Sequence, residues 1–529
     1  MRRLWHIKEM HSAFIFEEVA CTHPDFLRDE SRCIGRADAL ALPRTEEELR
    51  ASLVLARERG WAVTVQGGRT GLTGGAVPDG GLVINLTRMN RVLGLRQTAE
   101  GNFVGIVQPG VVLQDLRRML ITGEFDMTDW SEASLAALEA LCVAPPYFFP
   151  PDPTETTATL GGMTACNASG ACTFRYGAMR QHVVALRLVL PDGDVVALRR
   201  GEVRAQGREF VLKTENHRRL AGRLPTYMMP DTKNSAGYFA ADDMDLLDLF
   251  IGSEGTLGIF SEIELQFQPD PAVRWGVLAF FPDQAAAMRC VLAARALGDM
   301  QLAALEFFDR LALSLLHRER ANSTALLSLP ELSAHFDTAV YIEIHAPDDT
   351  LAGITMENLL ACGVDGENSW MATSARDMEK LKAFRHALPE AVNRLIDERR
   401  KTEPALTKLG TDMAVPDKHL AAILERYQLD LKNAGLDYLI FGHIGDNHLH
   451  VNILPASAAD YRRGRELYLE WAADIVKLGG TVAAEHGIGK LKASLLKTMF
   501  GSHGIEEMLS VKRIFDPDIR LNRGNLFSG

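Results

Sequence analysis

A glycine-rich segment directly after a strand-like run is the feature that most constrains the fold of this chain. The run "WAVTVQ" (61–66) is rich in β-branched residues, and the overlapping segment "QGGRTGLTGG" (66–75) carries five glycines in ten residues. Glycine lets backbone N–H groups turn toward an anion without steric cost, so such a loop can wrap a pyrophosphate. The segment matches neither the Walker A nor the GxGxxG pattern. A glycine-rich surface loop therefore remains the alternative at this point.

Two further segments of small residues follow in order along the chain. "FPPDPTETTATLGGMTACNASGACTFRYGAMRQHV" (149–183) combines a Pro-Pro-Asp-Pro turn with several glycines, and "IGSEGTLGIFSEIELQF" (251–267) places glycines just before a strand. Three such segments in this order are hard to explain as solvent-exposed turns. Together with the strand and helix patterns between them, they predict an α+β domain over residues 1–268.

The pattern resets near Pro269 and Pro271, which we interpret as a linker. Downstream, the helix-like run "DQAAAMRCVLAARALG" is followed by the strand-like runs "AVYIEIHA" and "LDYLIFGHI". This alternation predicts a second α+β domain over residues 269–500. In the first domain, Asp192-Gly193 between two apolar runs predicts a hairpin turn, and Thr45 with a glutamate three residues later predicts a helix start.

Charge and cysteine content exclude several classes of protein. Lys plus Arg number 57 and Asp plus Glu number 69, so the formal net charge is −12, which argues against a general nucleic-acid binder. The seven cysteines include no CxxC pair, as is typical of reduced thiols in the cytoplasm. The chain has no apolar run of about 18 residues, and "MRRLWHIKEMHSAF" lacks the apolar core of a signal peptide. We expect a cytoplasmic protein, with peripheral membrane association left open.

A second unusual segment, "FGHIGDNHLHVN" (441–452), holds three histidines between two strand-like runs. A turn at Gly445 and Asp446 would let His443 and His450 converge, and residues two apart on a strand share a face. The later "AAEHGIGK" (483–490) adds adjacent acidic and imidazole side chains. Two imidazoles and a carboxylate suit Zn²⁺, Mn²⁺ or Fe²⁺. Ordinary strand histidines with structural hydrogen bonds remain the alternative.

In its three ordered small-residue segments the chain resembles the FAD-binding domain of the vanillyl-alcohol oxidase/p-cresol methylhydroxylase (PCMH) superfamily. Within it, the chain is most similar to the D-2-hydroxyacid dehydrogenase branch, over residues 35–527. The resemblance implies a two-domain α+β flavoprotein with a PCMH-type FAD-binding domain, an α+β substrate (cap) domain, and a carboxy-terminal segment, 501–529, that returns to the FAD domain. The residues implied to line FAD are Gly67, Gly68, Arg69, Thr70, Gly71, Gly74, Pro151, Asp152, Thr157, Gly161, Gly162, Asn167, Tyr176, Ile259 and Asn522. The first glycine-rich segment has no histidine, so we expect non-covalent FAD.

The same branch carries a GHxGDGNxH block and a later EHG block. The resemblance implies that a divalent metal, Zn or Mn, is bound by three residues and that the adjacent histidine, His486, is the catalytic base. The implied metal ligands are His443, His450 and Glu485. Here Asn447 and His448 replace the usual Gly-Asn, so His448 is either an additional ligand or a hydrogen-bond donor behind the ligands. Gly487 and Gly489 predict a flexible loop around the base.

Position within the blocks also implies residues that bind substrate. Arg385 would clamp the substrate carboxylate and, with His486, form the catalytic pair, although Pro389 replaces the usual threonine one turn later. Asn452 falls where the branch contacts substrate. Gly410 occupies the position of the usual lysine, so Lys408, two residues earlier, takes its place in this prediction.

The resemblance implies an FAD-dependent dehydrogenase that oxidises a D-2-hydroxy acid, with D-lactate in first place, to the 2-oxo acid. A D-2-hydroxyglutarate or glycolate dehydrogenase is an alternative, as is a flavin transferase similar to alkyl-dihydroxyacetonephosphate synthase. A zinc hydrolase and a scaffold without turnover also remain open. The implied partners are a small 2-hydroxy acid and an electron acceptor, whether quinone, cytochrome or electron-transfer flavoprotein, with no nucleic acid. A homo-oligomer is left open.

Overall fold

The computed structural model describes residues 14–15, 19–298, 301–320, 324–327, 329–330, 333 and 335–527. Residues 1–13, on which the expectation of no signal peptide depends, lie outside this part of the chain. Within the described part, every helix is too short or too polar to cross a bilayer.

The strands are numbered β1–β20 and the helices α1–α15 in chain order. The strands are Phe14–Ile15, Ala39–Ala41, Val63–Gln66, Leu82–Asn85, Val92–Gln97, Phe103–Val107, Tyr147–Phe148, Val183–Val189, Val195–Arg199, Glu209–Lys213, Arg219–Arg223, Ile259–Gln266, Gln268–Pro269, Val273–Phe281, Leu302–Phe308, Thr338–Ala346, Ser369–Ala372, Leu409–Gly410, Tyr438–His443 and His448–Ile453. The helices are Val19–Thr22, Glu46–Arg59, Leu113–Thr122, Glu132–Val143, Leu160–Cys166, Thr173–Tyr176, Leu247–Phe250, Gln284–Ala296, Arg310–Glu319, Thr324–Leu327, Asp349–Ala361, Ala375–Arg399, Leu420–Ala434, Ala458–Lys477 and Ala493–Phe515.

A four-stranded sheet in the order β1-β2-β4-β3 forms the amino-terminal part of the fold. Its strands β2, β4 and β3 are parallel, and α2 supplies the crossover that parallel strands require. The Thr45 hydroxyl caps α2 by accepting the N–H of Glu48 at 3.3 Å, as predicted. Because β3 ends at Gln66, the glycine-rich segment begins at an end of this sheet.

An antiparallel five-stranded sheet, in the order β5-β6-β12-β8-β9, completes the first half of the chain. The strands β8 and β9 form the hairpin predicted at Asp192-Gly193, where Gly193 has a φ of +84°. Helix α4, in the segment before the Pro-Pro-Asp-Pro turn, lies near β5, and just before it the Trp130 indole donates to the Val92 carbonyl at 2.9 Å. This segment is therefore part of the folded core.

The second half is built on an antiparallel seven-stranded sheet in the order β17-β14-β16-β15-β19-β20-β18. Helices α9 and α12 contribute to the core on one side of this sheet, and α8 and α11 contribute to the core on the other. Mixed strands and helices in both halves confirm the predicted α+β class. The site discussed below lies on β19 and β20.

The predicted linker at Pro269 is wrong in one respect. The strand β13, Gln268–Pro269, pairs antiparallel with β7, so this stretch belongs to a short two-stranded ladder. Proline lacks an N–H, and it is tolerated there because such a small ladder can leave that position unpaired. The chain enters the seven-stranded sheet with β14 only four residues later.

The carboxy-terminal residues return to the first sheet. Helix α15 has a non-helical break at Gly501, with φ of 67° and ψ of 176°. Beyond the helix, the N–H of Val63 donates to the Arg520 carbonyl at 2.9 Å, and the N–H of Asn522 donates to the Val63 carbonyl at 2.8 Å. Residues 520–522 therefore run beside β3. The boundaries 1–268, 269–500 and 501–529 stay a prediction.

Lys512 is a buried cation that anchors this carboxy-terminal turn. Its Nζ donates to Asp516 at 2.9 Å and to the carbonyl oxygens of Thr256 and Leu521 at 2.8 and 3.0 Å. Removing one partner of a buried ion pair typically costs about 3–5 kcal/mol. We expect Lys512→Met to lower the midpoint of thermal unfolding, measured by calorimetry, whereas Lys497→Met, an exposed change in the same helix, should not. Equal midpoints for the two variants would contradict the anchoring role.

Candidate active site

The histidine-rich segment forms a β-hairpin. Strands β19 and β20 pair with His443 directly opposite His448. The turn Ile444–Asp446 and Asn447, at φ of +54°, reverse the chain. Asparagine tolerates this left-handed conformation, which explains how it can replace the glycine of the resembling branch. Because opposed residues and residues two apart share a face, His443, His448 and His450 lie together.

Hydrogen bonds orient two of the predicted metal ligands. Nδ1 of His443 lies 2.5 Å from Oε1 of Glu306, and Nδ1 of His450 lies 3.0 Å from the carbonyl oxygen of Thr411. An oxygen acceptor fixes a hydrogen on Nδ1, so Nε2 is the nitrogen that can face a cation. Metal-ligating histidines generally have this arrangement.

Glu485 completes a cluster of donor atoms. Its Oε2 lies 3.1 Å from Nε2 of His443, and one donor atom from each of His443, His448, His450 and Glu485 lies within 4.8 Å of the others. Burial, with His448 and His486 nearby, holds the pKa of His450 well below its ordinary value, so its ring is neutral. Imidazole and carboxylate donors at this spacing fit a divalent cation such as Zn²⁺ or Mn²⁺.

A buried carboxylate, Asp412, holds the loop that carries Glu485 and His486. The backbone N–H groups of these two residues donate to its oxygens at 3.0 Å each, and Nζ of Lys492 donates at 2.6 Å. Burial alone would raise the pKa of Asp412, but Lys492, His486 and His448 hold it well below its ordinary value. The ionised carboxylate therefore fixes the predicted ligand and the predicted base relative to each other.

The same loop packs against the glycine-rich segment. The carboxylate of Glu254 accepts the N–H groups of Ile488 and Gly489 at 2.7 and 2.8 Å, and the Thr73 carbonyl accepts the N–H of Lys490 at 3.0 Å. A Cβ on Gly489 would lie 2.3 Å from that Thr73 oxygen. Where the sequence predicts flexibility, this glycine permits close approach instead. The loop thereby joins the histidine cluster to the predicted FAD loop.

Lys233 reaches the cluster from the first half of the chain. Its side chain is 4% exposed, and its Nζ lies 3.2 Å from Oε2 of Glu485 and 3.9 Å from Oδ2 of Asp446. It also donates to the Gly170 carbonyl at 3.3 Å. Burial lowers the pKa of Lys233, but Glu485 and Asp446 outweigh it and raise the pKa above its ordinary value. A positive charge therefore already balances part of the acidic cluster.

Arg385, on α12, faces the cluster through Glu306. Its Nε lies 3.4 Å from one carboxylate oxygen of Glu306, and the other oxygen contacts His443. Burial lowers the pKa of Arg385, but Glu306 and Asp152 raise it above its ordinary value. Burial likewise lowers the pKa of His443, but Glu306 outweighs it and the pKa rises to about 9. A cation bound there would therefore displace a proton.

The other two predicted substrate residues, Asn452 and Lys408, have different surroundings. Asn452 lies on the hairpin, where its Nδ2 donates to the His450 carbonyl at 3.3 Å, and Gly410 pairs with it across β18 and β20. Burial, with the positive charge of Arg32, lowers the pKa of Lys408. Among the described residues, no hydrogen bond or ion pair joins Lys408 to the histidines.

The predicted FAD loop faces the second small-residue segment. A Cβ on Gly67 would lie 2.2 Å from Oγ1 of Thr159, and one on Gly68 would lie 3.0 Å from the Thr157 carbonyl oxygen. A Cβ on Gly71 would meet nothing within 4 Å. Side chains at the first two positions would close the gap between the segments, while the third opens outward. This cradle of backbone fits a bound pyrophosphate.

The other predicted FAD residues of these two segments lie around the cradle. Gly161 and Gly162 begin α5, and a Cβ on Gly161 would lie 2.5 Å from Pro109. The guanidinium of Arg69 stacks over the Phe26 ring at 4.6 Å. The loop also includes Thr70, which is partly buried, and Gly74, whose φ is +73°.

Three further predicted FAD residues, Pro151, Asp152 and Tyr176, contact other segments of the chain. The Pro151 carbonyl accepts a hydrogen bond from the guanidinium of Arg117 at 2.8 Å, and the carboxylate of Asp152 accepts the Cys172 N–H at 3.0 Å. The hydroxyl of Tyr176 lies 2.8 Å from Nδ1 of His345 on β16.

Three more predicted FAD residues anchor neighbouring segments. Asn167 accepts the Arg180 N–H at 3.0 Å, and Asn522 donates to the Glu254 carbonyl at 2.7 Å. Ile259 is buried in the core beside the first sheet, so its side chain packs there rather than at an open surface.

Sequence reasoning missed four residues of this site: Lys233, Glu254, Glu306 and Asp412. Glu306 had a usable signal, because it is a lone acid in the apolar run "LAALEFF" and a buried charge needs a partner. Glu254 lies in the third small-residue segment, whose glycines and not its acid drew attention, and no pattern in the sequence marks Lys233.

Comparisons with known proteins identify two family models that match this chain. The family model "FAD binding domain" matches residues 37–135 and 133–199, and the model "FAD linked oxidases, C-terminal domain" matches residues 270–526.

Curated relatives match nearly the whole chain. Glycolate oxidase subunit GlcD of Bacillus subtilis (strain 168) is 29% identical over 93% of this chain and 89% of its own length. A D-lactate dehydrogenase of Anaerostipes hadrus is 29% identical over 95% and 92%. A D-2-hydroxyglutarate dehydrogenase of Xanthomonas citri pv. viticola is 29% identical over 92% and 89%.

A solved structure of alkyldihydroxyacetonephosphate synthase has a similar fold. Its TM-score is 0.63 at 16% identity, over 98% of this chain and 84% of that one. This likeness concerns the fold alone.

Gly442 permits a close approach between the two strands of the histidine hairpin. Its φ is +132°, and an added Cβ would lie 2.9 Å from the His450 ring. Strained backbone of this kind costs about 1–3 kcal/mol. We expect Gly442→Ala to lower the urea midpoint, followed by circular dichroism. Gly353→Ala, in α11 with open space around its Cβ, should leave the midpoint unchanged or raise it. A Gly442→Ala protein as stable as the parent would contradict the close approach.

Proposed function

Because this chain belongs to the FAD-linked oxidases and is an oxidoreductase of the D-lactate, D-2-hydroxyglutarate and glycolate dehydrogenase type, we propose that it oxidises D-lactate to the corresponding 2-oxo acid. The proposed site consists of a metal bound by His443, His450 and Glu485, with His486 as base. The supporting observation is that these ligand atoms lie within 4.8 Å of one another, on a loop and hairpin that adjoin the glycine-rich segment. D-2-Hydroxyglutarate and glycolate are the alternative substrates.

FAD bound at this site would supply the redox chemistry, which no side chain of the protein provides. We propose that it is bound without a covalent link, in the cradle formed by Gly67, Gly68 and the facing threonines. A divalent ion at the histidine cluster would supply a Lewis acid. The protein's own groups then have to orient the substrate and move one proton.

We propose that the imidazole of His486 takes the substrate hydroxyl proton. Its Nδ1 lies 3.6 Å from Oδ2 of Asp412, so Nε2 is the nitrogen offered to the substrate. Burial lowers the pKa of His486 below its ordinary value, more than Asp412 raises it. A neutral ring can accept a proton, and the nearby carboxylate would stabilise the charge that forms. The side chain is 32% exposed, which leaves it accessible.

Arg385 is the group proposed to hold the substrate carboxylate. Glu306 approaches its Nε, which leaves the terminal nitrogens to form paired hydrogen bonds with a carboxylate. Asn452, on the strand that carries His450, would add a polar contact. Lys233 would keep Glu485 ionised when substrate brings further negative charge to the site.

Oxidation of a hydroxy acid by a dehydrogenase of this type would require an electron acceptor. We propose a quinone, a cytochrome or an electron-transfer flavoprotein, met in the cytoplasm or at a membrane surface. A second candidate function, flavin-aided group transfer, is favoured only by the fold likeness to alkyldihydroxyacetonephosphate synthase. The two functions differ in whether a 2-hydroxy acid reduces the flavin.

The substrate proposal is tested by an anaerobic screen of purified protein. We expect D-lactate to bleach the flavin bands faster than D-2-hydroxyglutarate, glycolate or L-lactate, because the site orients one face of a small hydroxy acid.

Removing bound metal with a chelator should stop bleaching, and adding Zn²⁺ or Mn²⁺ should restore it. Acid precipitation should release the flavin into the supernatant. Full activity in metal-free protein would remove the metal from the mechanism, and no bleaching by any hydroxy acid would favour group transfer.

Substitutions separate the base from the metal ligands. His486→Ala should retain metal and FAD but reduce its flavin about 10²- to 10⁴-fold more slowly, the usual effect of losing a general base. His443→Ala should lose metal together with activity. Elemental analysis and single-turnover flavin bleaching on both variants make the comparison. Loss of metal in His486→Ala, or reduction at the parent rate, would refute the role assigned to His486.

A further inference from the structure

His448 is buried without a satisfactory partner. Its side chain is 0% exposed, and within the described part of the chain neither ring nitrogen has a well-aligned hydrogen bond. An unsatisfied buried polar group destabilises the folded state. The position is one where the resembling branch has asparagine, so this imidazole is a feature of the present chain.

The surroundings of His448 differ from those of an ordinary buried histidine. His182 is also buried with unpartnered ring nitrogens, but its neighbour is the aromatic ring of Phe149. His448 has its Nε2 3.1 Å from Oδ1 of Asp412 and its Nδ1 3.6 Å from Oε2 of Glu485. Its two nitrogens therefore lie between two carboxylates, one of which belongs to the proposed metal site.

The orientation of His448 matches that of the neighbouring imidazoles. In His443 and His450, one ring nitrogen contacts an oxygen acceptor and the other is left as a donor atom for the cluster. In His448, Asp412 is the acceptor beside Nε2, so Nδ1 carries the lone pair. The ring centroid of His448 lies 5.4 Å from that of His443 and 4.4 Å from that of His450. All three rings thus offer one nitrogen to the same space.

A protonated His448 is a weaker explanation of this geometry. Glu485 already has the ammonium group of Lys233 at 3.2 Å, and Asp412 already has that of Lys492 at 2.6 Å. A third cation between these carboxylates would face both ammonium groups. A neutral ring that donates from Nε2 and binds through Nδ1 satisfies both nitrogens without adding charge.

We infer that His448 is a fourth protein ligand, so that three imidazoles and one carboxylate hold the metal. This inference rests on the metal site of the proposed function and extends it. An added imidazole favours Zn²⁺ over Mn²⁺, because Mn²⁺ is better suited to oxygen ligands. Catalytic zinc sites usually have three protein ligands and an open position, so a fourth leaves the substrate fewer positions.

A second cluster, Cys172, Glu343 and His345, shows the contrast. Its donor atoms also lie within 4.8 Å of one another. There, however, the carboxylate accepts the Tyr341 hydroxyl and contacts Nε2 of His345, each at 2.8 Å, while Nδ1 of His345 lies 2.8 Å from the Tyr176 hydroxyl. The side chains of Glu343 and His345 therefore have hydrogen-bond partners, whereas the ring nitrogens of His448 lack well-aligned ones.

The test measures Zn²⁺ binding to the FAD-loaded full chain. X-ray absorption at the zinc edge counts imidazole ligands, and competition with a chromophoric chelator gives affinity for Zn²⁺ and Mn²⁺. We expect three imidazoles in the parent and two in His448→Asn. Since losing a partner behind a ligand already weakens metal binding about 10- to 100-fold, loss of the ligand should cost at least ~10-fold in Zn²⁺ affinity. Mn²⁺ affinity should fall less. His182→Asn, a matched buried change, should alter neither measurement.

The possible outcomes distinguish a wrong role for His448 from a wrong metal site. Two imidazoles in the parent, or an unchanged count and affinity in His448→Asn, would overturn the role of His448 and leave the three-ligand site intact. A parent protein that binds no zinc would overturn the proposed metal site as well. If His448→Asn does not fold, the imidazole count of the parent alone decides.

Discussion

The contact between Asp412 and the backbone of residues 485 and 486 is the constraint on which the candidate site depends. One buried carboxylate accepts two consecutive N–H groups and an ammonium group, and it also lies near two imidazoles. A carboxylate has about four acceptor positions, so Asp412 approaches its full capacity. Adjacent residues on an extended chain normally point apart. Holding both N–H groups lets Glu485 and His486 serve a single pocket.

Charge balance is the second condition that makes this site possible. The described cluster places Glu306, Asp412, Asp446 and Glu485 close together in the interior. Buried carboxylates are costly unless they are paired and hydrogen-bonded. The pairing cations are Lys233, Lys492 and Arg385, each from a different segment. Since these cations come from both halves of the chain, the site can form only after the halves pack together.

The junction between the glycine-rich segment and the histidine hairpin brings the proposed cofactor site next to the proposed metal site. Redox chemistry at a flavin requires substrate, base and cofactor within contact distance of one another. Loop 485–492 contacts Thr73 of the glycine-rich segment and Glu254 of the third small-residue segment. The same loop carries the residues proposed to bind metal and move a proton. A short connecting loop therefore couples cofactor position to acid–base position.

Local patterns in the sequence determined the parts of this protein that depend on neighbouring residues. A turn at Gly445 and Asp446 predicted that His443 and His450 converge, and strand alternation predicted that His448 and His450 share a face. The Asp192-Gly193 turn was equally readable. The tertiary structure decided which distant groups meet them. Lys233 and Glu306 lie 252 and 137 residues from their partners Glu485 and His443. It also showed Pro269 in a short ladder, where the sequence predicted a linker. Strand and turn geometry is set by adjacent dihedral angles and so is written locally, whereas partners for buried charges are chosen by the packing of whole sheets, which no local pattern encodes.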